Sequence, residues 1–125
     1  MKIGLLTVSD RGASGEYEDR SGALMAKVIG DNTPWQIEHR KIVPDNLDAI
    51  MSTLIDWSDE GLNLILTSGG TGFAPRDITP EATRKVIHRE APGIAEALRA
   101  ESLKVTRHAM LSRGVAGYDF YTSTR

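Results

Sequence analysis

The sequence predicts an α/β protein with a mainly parallel β-sheet and helices on both faces of that sheet. Two compact apolar runs, residues 3–8 and 62–66, are typical of buried strands, and each leads towards a polar loop. A third extended segment, residues 35–43, alternates loosely, carries several charges and is predicted to be an outer strand. Helical patterns lie between these strands, and strands that alternate with helices build parallel βαβ units.

The predicted helices follow from the spacing of their apolar residues. Apolar side chains recur at helical intervals over three segments, residues 24–29, 47–55 and 94–105. Thr79 is predicted to be the N-cap of a further helix, because Pro80 suits the first helical position. That helix is expected to run to about residue 90. The segment from 9 to about 19 is predicted to be a polar loop.

Composition narrows the class of protein. A chain of 125 residues with a net charge of −2 is expected to form one main domain and to lack the basic surface that nucleic-acid binding requires. There is no cysteine, which excludes disulfides and zinc–thiolate sites. No apolar run approaches the roughly 20 residues that span a bilayer, and the N-terminus lacks the pattern of a signal peptide. The expectation is a cytoplasmic protein with no membrane and no nucleic-acid partner.

A glycine-rich loop is the strongest functional signal in the chain. Residues 68–72 read Ser-Gly-Gly-Thr-Gly directly after a predicted strand, and Arg76 and Asp77 follow. Glycines allow backbone N–H groups to converge on an anion, and the N-terminus of the next helix adds partial positive charge. The loop lacks the Lys-Ser or Lys-Thr pair of a Walker A motif and the third glycine of a dinucleotide fingerprint. It therefore predicts a phosphate site of another kind, with a simple tight turn as the alternative.

Polar loops follow the carboxyl ends of all three predicted strands. They are residues 9–11, residues 44–45 and the glycine-rich loop with the residues after it, 68–77. In a parallel sheet these ends open on one rim, which is where ligands bind in such folds. The three loops are therefore expected to form a single site.

Four motifs in order give the chain a specific resemblance to a known family. They read Thr-Val-Ser-Asp-Arg at 7–11, Val-Pro-Asp at 43–45, the glycine-rich loop with Arg-Asp-Ile-Thr-Pro-Glu-Ala-Thr within 67–83, and Met-Leu-Ser-Arg at 110–113. Together they resemble the molybdopterin adenylyltransferase family, which comprises the bacterial MogA/MoaB group and the gephyrin G domain. The resemblance runs over residues 3–117.

The resemblance implies a fold, an activity and partners. The family fold is a three-layer α/β/α sandwich, commonly assembled as a homotrimer. Its members transfer AMP from ATP to the phosphate of molybdopterin, with Mg²⁺ as the metal and pyrophosphate as the product. The molybdenum-insertion protein of the same pathway is an implied partner. A MogA-like domain is accordingly expected over residues 1–117, followed by a divergent tail over 118–125.

The resemblance also implies roles for individual residues of this chain. It implies that Asp45 and Asp77 are the catalytic acidic residues and the Mg²⁺ ligands. Ten further residues are implied to bind substrate: Ser9, Asp10, Gly69, Gly70, Thr71, Gly72, Arg76, Ser102, Ser112 and Arg113. Adenylyl transfer suits such a set, because the attacking phosphate is already anionic and catalysis can rest on positioning and charge neutralisation.

Several of these residues also have purely structural interpretations. Judged from spacing alone, Asp45 is an N-cap of the helix that follows it. Asp77 is equally well interpreted as a buttress of its own turn. Arg76 and Arg113 are of a kind that ordinarily lies solvated at the surface, and Ser102 lies within a helical pattern and ordinarily faces solvent.

The chain departs from the family near its end. Relatives continue beyond the match to Ala116-Gly117 into a further core strand, a ligand-side loop and a closing helix. Here residues 118–125 read Tyr-Asp-Phe-Tyr-Thr-Ser-Thr-Arg, in which Tyr118, Phe120 and Thr122 alternate like a substitute strand. The last strand and helix are thus expected to be missing and one face of the sheet to be less covered. A non-catalytic molybdopterin-binding or scaffolding module and an inactive truncated form therefore stand as alternatives to an active enzyme.

Overall fold

A three-stranded parallel sheet lies at the centre of the protein, which a computed structural model describes over residues 1–16 and 18–119. Strand β1 spans Lys2–Val8, β2 spans Gln36–Val43 and β3 spans Leu64–Ser68, in the spatial order β2-β1-β3. Both neighbours of β1 run parallel to it. All three predicted strands are present, and β2 is an outer strand as expected. Strand β3 begins two residues later than predicted and is mostly half-buried rather than buried.

Helices follow the strands in the predicted alternation. The described helices are α1 Asp10–Ala13, α2 Arg20–Asn32, α3 Leu47–Asp59, α4 Thr79–Val86 and α5 Pro92–Leu103, with a 3₁₀-helix at Arg107–Leu111. A two-stranded antiparallel ribbon, β4 Arg89–Glu90 with β5 Gly117–Tyr118, is separate from the main sheet. Within residues 1–16 and 18–119, none of the helices combines the length and the apolar character that crossing a membrane needs.

The sheet is covered on both faces because the side chains of β1 alternate between them. Ile3 and Leu5 form one buried cluster with Ile29 of α2. Leu6 and Val8 belong to a second buried cluster, to which α3 and α4 contribute apolar side chains. The helices therefore form one layer on each side of the sheet, and the three-layer α/β/α sandwich is confirmed.

Two helices differ from the prediction in where they start or stop. Residues 10–13 form α1 rather than a polar loop, because Ser9 caps this turn with its side-chain oxygen. Helix α4 has Ile78 in the N-cap position and Thr79 as its first residue, so the prediction that Thr79 is the cap is wrong. The same helix ends at Val86 rather than near residue 90, because the chain then turns into β4.

Helix α3 is capped by Asn46 and not by Asp45. Oδ1 of Asn46 accepts a hydrogen bond from the backbone N–H of Ala49 at 2.9 Å, which satisfies one of the free amides at the helix start. The capping interpretation of Asp45 is therefore wrong. The carboxylate of Asp45 is left to interact with the neighbouring loops.

Replacing Asn46 by alanine is expected to lower the free energy of unfolding by about 1 kcal/mol, because the amide of Ala49 loses its acceptor. Urea unfolding of the two proteins measures the difference. Ser52→Ala, at an exposed position of the same helix, is the matched control. A loss no larger than that of the control would contradict the assignment of the cap.

Two helices expose apolar residues that the periodicity predicts to be buried. In α2 Ile29 is buried, whereas Leu24 and Val28 are 63% and 51% exposed. In α5 Ala95 is buried, whereas Leu98 is 63% exposed. The prediction of a continuous buried stripe is thus wrong at these positions, because no other element of the described chain covers them.

The end of the described chain does not extend the main sheet. Tyr118 belongs to β5 and pairs with β4 instead, while Phe120 and Thr122 of the predicted substitute strand lie outside the described residues. Within the described ranges β3 pairs only with β1, and it is largely half-buried. It borders a cavity of about 440 Å³ that α5 also lines. Within residues 1–16 and 18–119, β3 is therefore less covered than β1, and lower coverage than in relatives stays a prediction.

Candidate functional site

The carboxyl ends of the three parallel strands meet on one rim of the sheet, as predicted. Val8 at the end of β1 is in register with Val43 at the end of β2. Thr7 is in register with Ser68, the last residue of β3. The three polar loops that follow these strands therefore start side by side, and the candidate site lies where they meet.

The glycine-rich loop, residues 68–72, has backbone conformations and close contacts that favour glycine. Gly69 and Gly70 have φ angles of 95° and 67°, in the region that other residues rarely adopt. A Cβ atom on Gly69 would collide with the backbone oxygen of Val8, and one on Gly70 would collide with Oγ1 of Thr79. The loop thus packs directly between the end of β1 and the start of α4, a path that needs glycine whether the loop is a tight turn or an anion site.

Arg113 holds the glycine-rich loop through its backbone and its side chain. Its backbone N–H donates to the carbonyl of Thr71 at 2.9 Å, and its Nε donates to that of Gly72 at 2.7 Å. Its Nη2 donates to the carbonyl of Asp77 at 2.7 Å. Nη1 forms an ion pair with Glu81 of α4 at 2.7 Å. The guanidinium is therefore committed to the loop, and Arg113 is a positioning residue rather than a solvated surface charge.

The ion pair between Arg113 and Glu81 makes stability depend on pH. The hydrogen bond from Arg113 holds the pKa of Glu81 below its ordinary value of 4.5. A carboxylate whose pKa is lowered in the folded state stabilises the fold above its unfolded-state pKa. That contribution is lost as the pH falls through the folded-state value.

Glu81→Gln is expected to be less stable than the wild type at neutral pH, and the difference is expected to shrink on the acid side of 4.5. Urea unfolding at a series of pH values measures both free energies. Glu96→Gln, at an exposed position of α5, is the control. The idea fails if the difference for Glu81→Gln does not change with pH, or if Glu96→Gln shows the same profile.

Asp10 and Asp45 join two of the loops by reciprocal hydrogen bonds. The backbone N–H of Asp10 donates to Oδ2 of Asp45 at 3.0 Å, and that of Asp45 donates to Oδ1 of Asp10 at 2.9 Å. Nε of Arg76 donates to Oδ2 of Asp10 at 2.5 Å. The bond from Arg76 lowers the pKa of Asp10 below its ordinary value. Both oxygens of Asp10 are thus engaged, and Arg76 is paired rather than simply solvated.

Asp45 and Asp77 lie against opposite ends of the segment Gly70 to Gly72. Within the described residues Oδ1 of Asp45 takes part in no hydrogen bond, and it lies 3.3 Å from the point where a Cβ on Gly70 would stand. Oδ2 of Asp77 lies 2.8 Å from the corresponding point on Gly72. It also accepts a hydrogen bond from the backbone N–H of Ala74 at 3.0 Å, so Asp77 does buttress its own turn.

Asp45 and Asp77 supply carboxylate oxygens, which are of the ligand type that Mg²⁺ takes. Residues 1–16 and 18–119 contain no group of three or more His, Cys, Asp or Glu side chains that could hold a metal ion. Mg²⁺ ordinarily takes one or two carboxylates and completes its shell with substrate phosphates and waters. The oxygen of Asp45 that has no hydrogen-bond partner in residues 1–16 and 18–119 is of the ligand type in that donor set.

A cavity of about 340 Å³ lies between the glycine-rich loop, α5 and the segment after the 3₁₀-helix. Four of the predicted binding residues line it: Gly69, Thr71, Ser102 and Ser112. Ser102 therefore faces the cavity rather than bulk solvent alone. The other predicted site residues are not on its wall: Ser9, Asp10, Asp45, Gly70, Gly72, Arg76, Asp77 and Arg113. The predicted residues thus fall into a cavity group and a carboxylate group, which meet at the loop.

Arg99 and Thr79 are among the cavity-wall residues that were not predicted from the sequence. Arg99 of α5 donates from Nη1 to the carbonyls of Ser112 and Gly114 at 3.3 and 3.1 Å. Thr79 is 2% exposed, and its Oγ1 has no hydrogen-bond partner among the described residues. One feature of the sequence could have indicated Arg99. It precedes the predicted binding residue Ser102 by three positions, and residues at i and i+3 share a helix face.

Comparison with known proteins identifies the family of this chain. Residues 4–122 match the protein family described as "Probable molybdopterin binding domain". The chain belongs to this molybdopterin-binding family. The match covers nearly all of the chain, including the strand-end loops, the glycine-rich loop and the cavity wall.

Individual relatives of the family are similar in sequence and in structure. A molybdopterin adenylyltransferase of Helicobacter pylori is 46% identical over 117 residues, which cover 92% of this chain and 66% of that protein. The molybdenum cofactor synthesis protein cinnamon of Drosophila melanogaster is 44% identical over 92% of this chain, but the chain spans only 19% of that protein. The solved structure of the molybdopterin biosynthesis enzyme MoaB from Thermus thermophilus is 48% identical with a TM-score of 0.88, over 94% of this chain and 74% of that one. The chain thus spans at most about two thirds of the curated relatives.

Proposed function

We propose that this protein transfers the adenylyl group of ATP to the phosphate of molybdopterin and releases pyrophosphate. The single observation that carries the proposal is a carboxylate oxygen of Asp45 that has no hydrogen-bond partner among the described residues and is held against Gly70 of the glycine-rich loop. Family membership supports the same reaction, because relatives of 42% to 46% identity are named molybdopterin adenylyltransferase. The proposed setting is molybdenum cofactor biosynthesis in the cytoplasm.

The reaction needs little covalent chemistry from the protein. An oxygen of the substrate phosphate forms a bond to the α-phosphorus of ATP, and the bond from that phosphorus to the oxygen shared with the β-phosphate breaks. The attacking oxygen is already anionic, so no serine or cysteine nucleophile is required. The backbone N–H groups of the glycine-rich loop hold the phosphates in line, and Arg113 keeps that loop in place.

Asp45 and Asp77 would hold Mg²⁺ together with the phosphates of ATP. When bound there, Mg²⁺ neutralises the charge that accumulates on the phosphate oxygens during transfer. Asp10 and Arg76 position Asp45, because Asp10 exchanges two hydrogen bonds with it and Arg76 holds Asp10. The cavity of about 340 Å³ is within the usual range for a small-molecule site, and we assign it to the pterin.

Assembly of the protein is part of the same proposal. Exposed apolar residues on α2 and α5, among them Leu24, Val28 and Leu98, favour association with other copies of the chain. A homotrimer is the proposed assembly, and the molybdenum-insertion protein of the pathway is the proposed acceptor of the product.

Conversion of molybdopterin to its adenylated form, measured with ATP and Mg²⁺, tests the proposed function directly. Product is expected to form in proportion to the amount of protein and to disappear when Mg²⁺ is chelated. The adenylyltransferase of Helicobacter pylori serves as the positive control. If molybdopterin binds tightly but no adenylated product forms, the chain is a binding module and the proposed activity is wrong. If neither binding nor product is seen while the control is active, the chain is an inactive form.

A further inference from the structure

Arg99 is the charged residue of the cavity wall. Among the described residues that line the cavity, all others are neutral, with hydroxyl groups from residues such as Ser68, Thr71 and Ser102. Arg99 also takes part in none of the ion pairs formed by the described residues. A half-buried guanidinium without a carboxylate partner is favourable chiefly when an anion occupies the space beside it.

The hydrogen bonds of Arg99 fix its orientation and leave part of it unused. Nη1 donates to the carbonyls of Ser112 and Gly114, which accounts for both N–H groups of that nitrogen. Nε and Nη2 donate to no group in the described part of the chain. These two nitrogens form the side of the guanidinium that can grip two oxygens of one phosphate.

The position of Arg99 links it to the glycine-rich loop. The segment that accepts its hydrogen bonds is continuous with Arg113, whose backbone N–H donates to the carbonyl of Thr71. Arg99, Thr71 and Gly69 therefore line one cavity, with Ser102 one helical turn beyond Arg99. A ligand in this cavity meets one cation, several hydroxyls and the backbone of the loop.

We propose that Arg99 binds a phosphate group of the ligand in this cavity and thereby selects the phosphorylated form of the substrate. The inference rests on the proposed function for the identity of the ligands, and the shared chemistry is a phosphate group. That phosphate belongs either to the pterin substrate or to the nucleotide. Arg99 is a binding residue in this scheme, and the carboxylate group at the other end of the loop is separate from it.

The test compares the wild type with Arg99→Gln in the full chain, by calorimetric titration rather than by turnover. Glutamine keeps a donor for the carbonyls of Ser112 and Gly114 but removes the charge. The ligands are molybdopterin, the same pterin after phosphatase treatment, AMP and adenosine. Arg107→Gln, an exposed arginine that is not on the cavity wall, is the matched control.

Arg99→Gln is expected to weaken binding of molybdopterin by about 10- to 100-fold and to leave the dephosphorylated pterin unchanged. Arg99→Lys keeps the charge and loses the paired donors, so its affinity for molybdopterin is expected to lie between those of the wild type and Arg99→Gln. A loss confined to AMP relative to adenosine would support the phosphate role and assign it to the nucleotide. Equal losses for phosphorylated and dephosphorylated ligands would reveal a merely structural residue and overturn the proposal. The proposal is also overturned if the wild type binds molybdopterin no more tightly than the dephosphorylated pterin, and AMP no more tightly than adenosine. Because no arm uses turnover, an inactive chain that still selects phosphate would overturn only the proposed function.

Discussion

Asp45→Asn should lower the rate of adenylyl transfer by about 10²- to 10³-fold while the protein remains folded. The asparagine oxygen can still accept the hydrogen bond from the backbone N–H of Asp10, so the contact between the two loops is kept. The substitution removes the negative charge of the other carboxylate oxygen. That oxygen faces Gly70 and has no hydrogen-bond partner in the described structure. The rate is measured as adenylated molybdopterin formed at several Mg²⁺ concentrations. The Mg²⁺ concentration for half-maximal rate is expected to rise.

The control for this substitution is Asp48→Asn, an exposed carboxylate in the first turn of α3. It removes the same charge a few residues away and is expected to keep nearly full activity. Wild-type activity and an unchanged Mg²⁺ requirement in Asp45→Asn would show that Asp45 is not a metal ligand. The role of Asp45 would then be confined to joining the loops.

Gly69→Ala should lower the free energy of unfolding by about 1–3 kcal/mol and remove most of the activity. The φ angle of 95° is strained for alanine, and the added Cβ would collide with the backbone oxygen of Val8. Backbone oxygen cannot move aside as a flexible side chain can, so the loop or the end of β1 has to shift. The loop amides would then no longer converge on the phosphates. Thermal and urea unfolding measure the first effect, and the adenylation assay measures the second.

Gly30→Ala is the matched control, because a Cβ at Gly30 of α2 meets nothing within 4 Å. Alanine in a helix is ordinarily more stable than glycine by up to about 1 kcal/mol, so this variant is expected to be neutral or more stable. If both variants unfold alike and remain active, the loop does not depend on glycine at Gly69. Neither the stability nor the activity of the protein would then depend on the close packing of the loop against β1.

The parts of the fold that local sequence patterns predict correctly are the strands and helices with clear periodicity. The apolar run of β1 and the helical spacing in α3 follow from residues close together in the chain, and burial acts on them directly. The common rim also follows from sequence, because parallel strands place all their carboxyl ends on one side. The predictions about α2 and α5 failed at Leu24 and Leu98, since periodicity indicates an apolar face but not what covers it.

The roles of the polar side chains were much harder to predict. Asn46 and Asp45 are adjacent and both suit an N-cap, and only the backbone path decides that Asn46 accepts the hydrogen bond. The resemblance implies that Arg113 binds substrate, and residue type alone would make it a solvated surface charge. Neither indicates that its guanidinium holds carbonyls of the glycine-rich loop, some 40 residues away in the chain. Arg99 has no motif of its own, and its position on the cavity wall appears only in the folded structure.

The sequence by itself determined the fold class, the position of the glycine-rich loop and the resemblance to molybdopterin adenylyltransferases. These depend on the order and spacing of residues within short segments, which the chain carries whether or not it is folded. The tertiary structure alone decided which carboxylate oxygen is free in the described part of the chain, which arginine is tied to the loop and which one lines the cavity. A hydrogen bond requires two groups within about 3 Å, and segments distant in sequence reach that separation only when the whole fold has assembled.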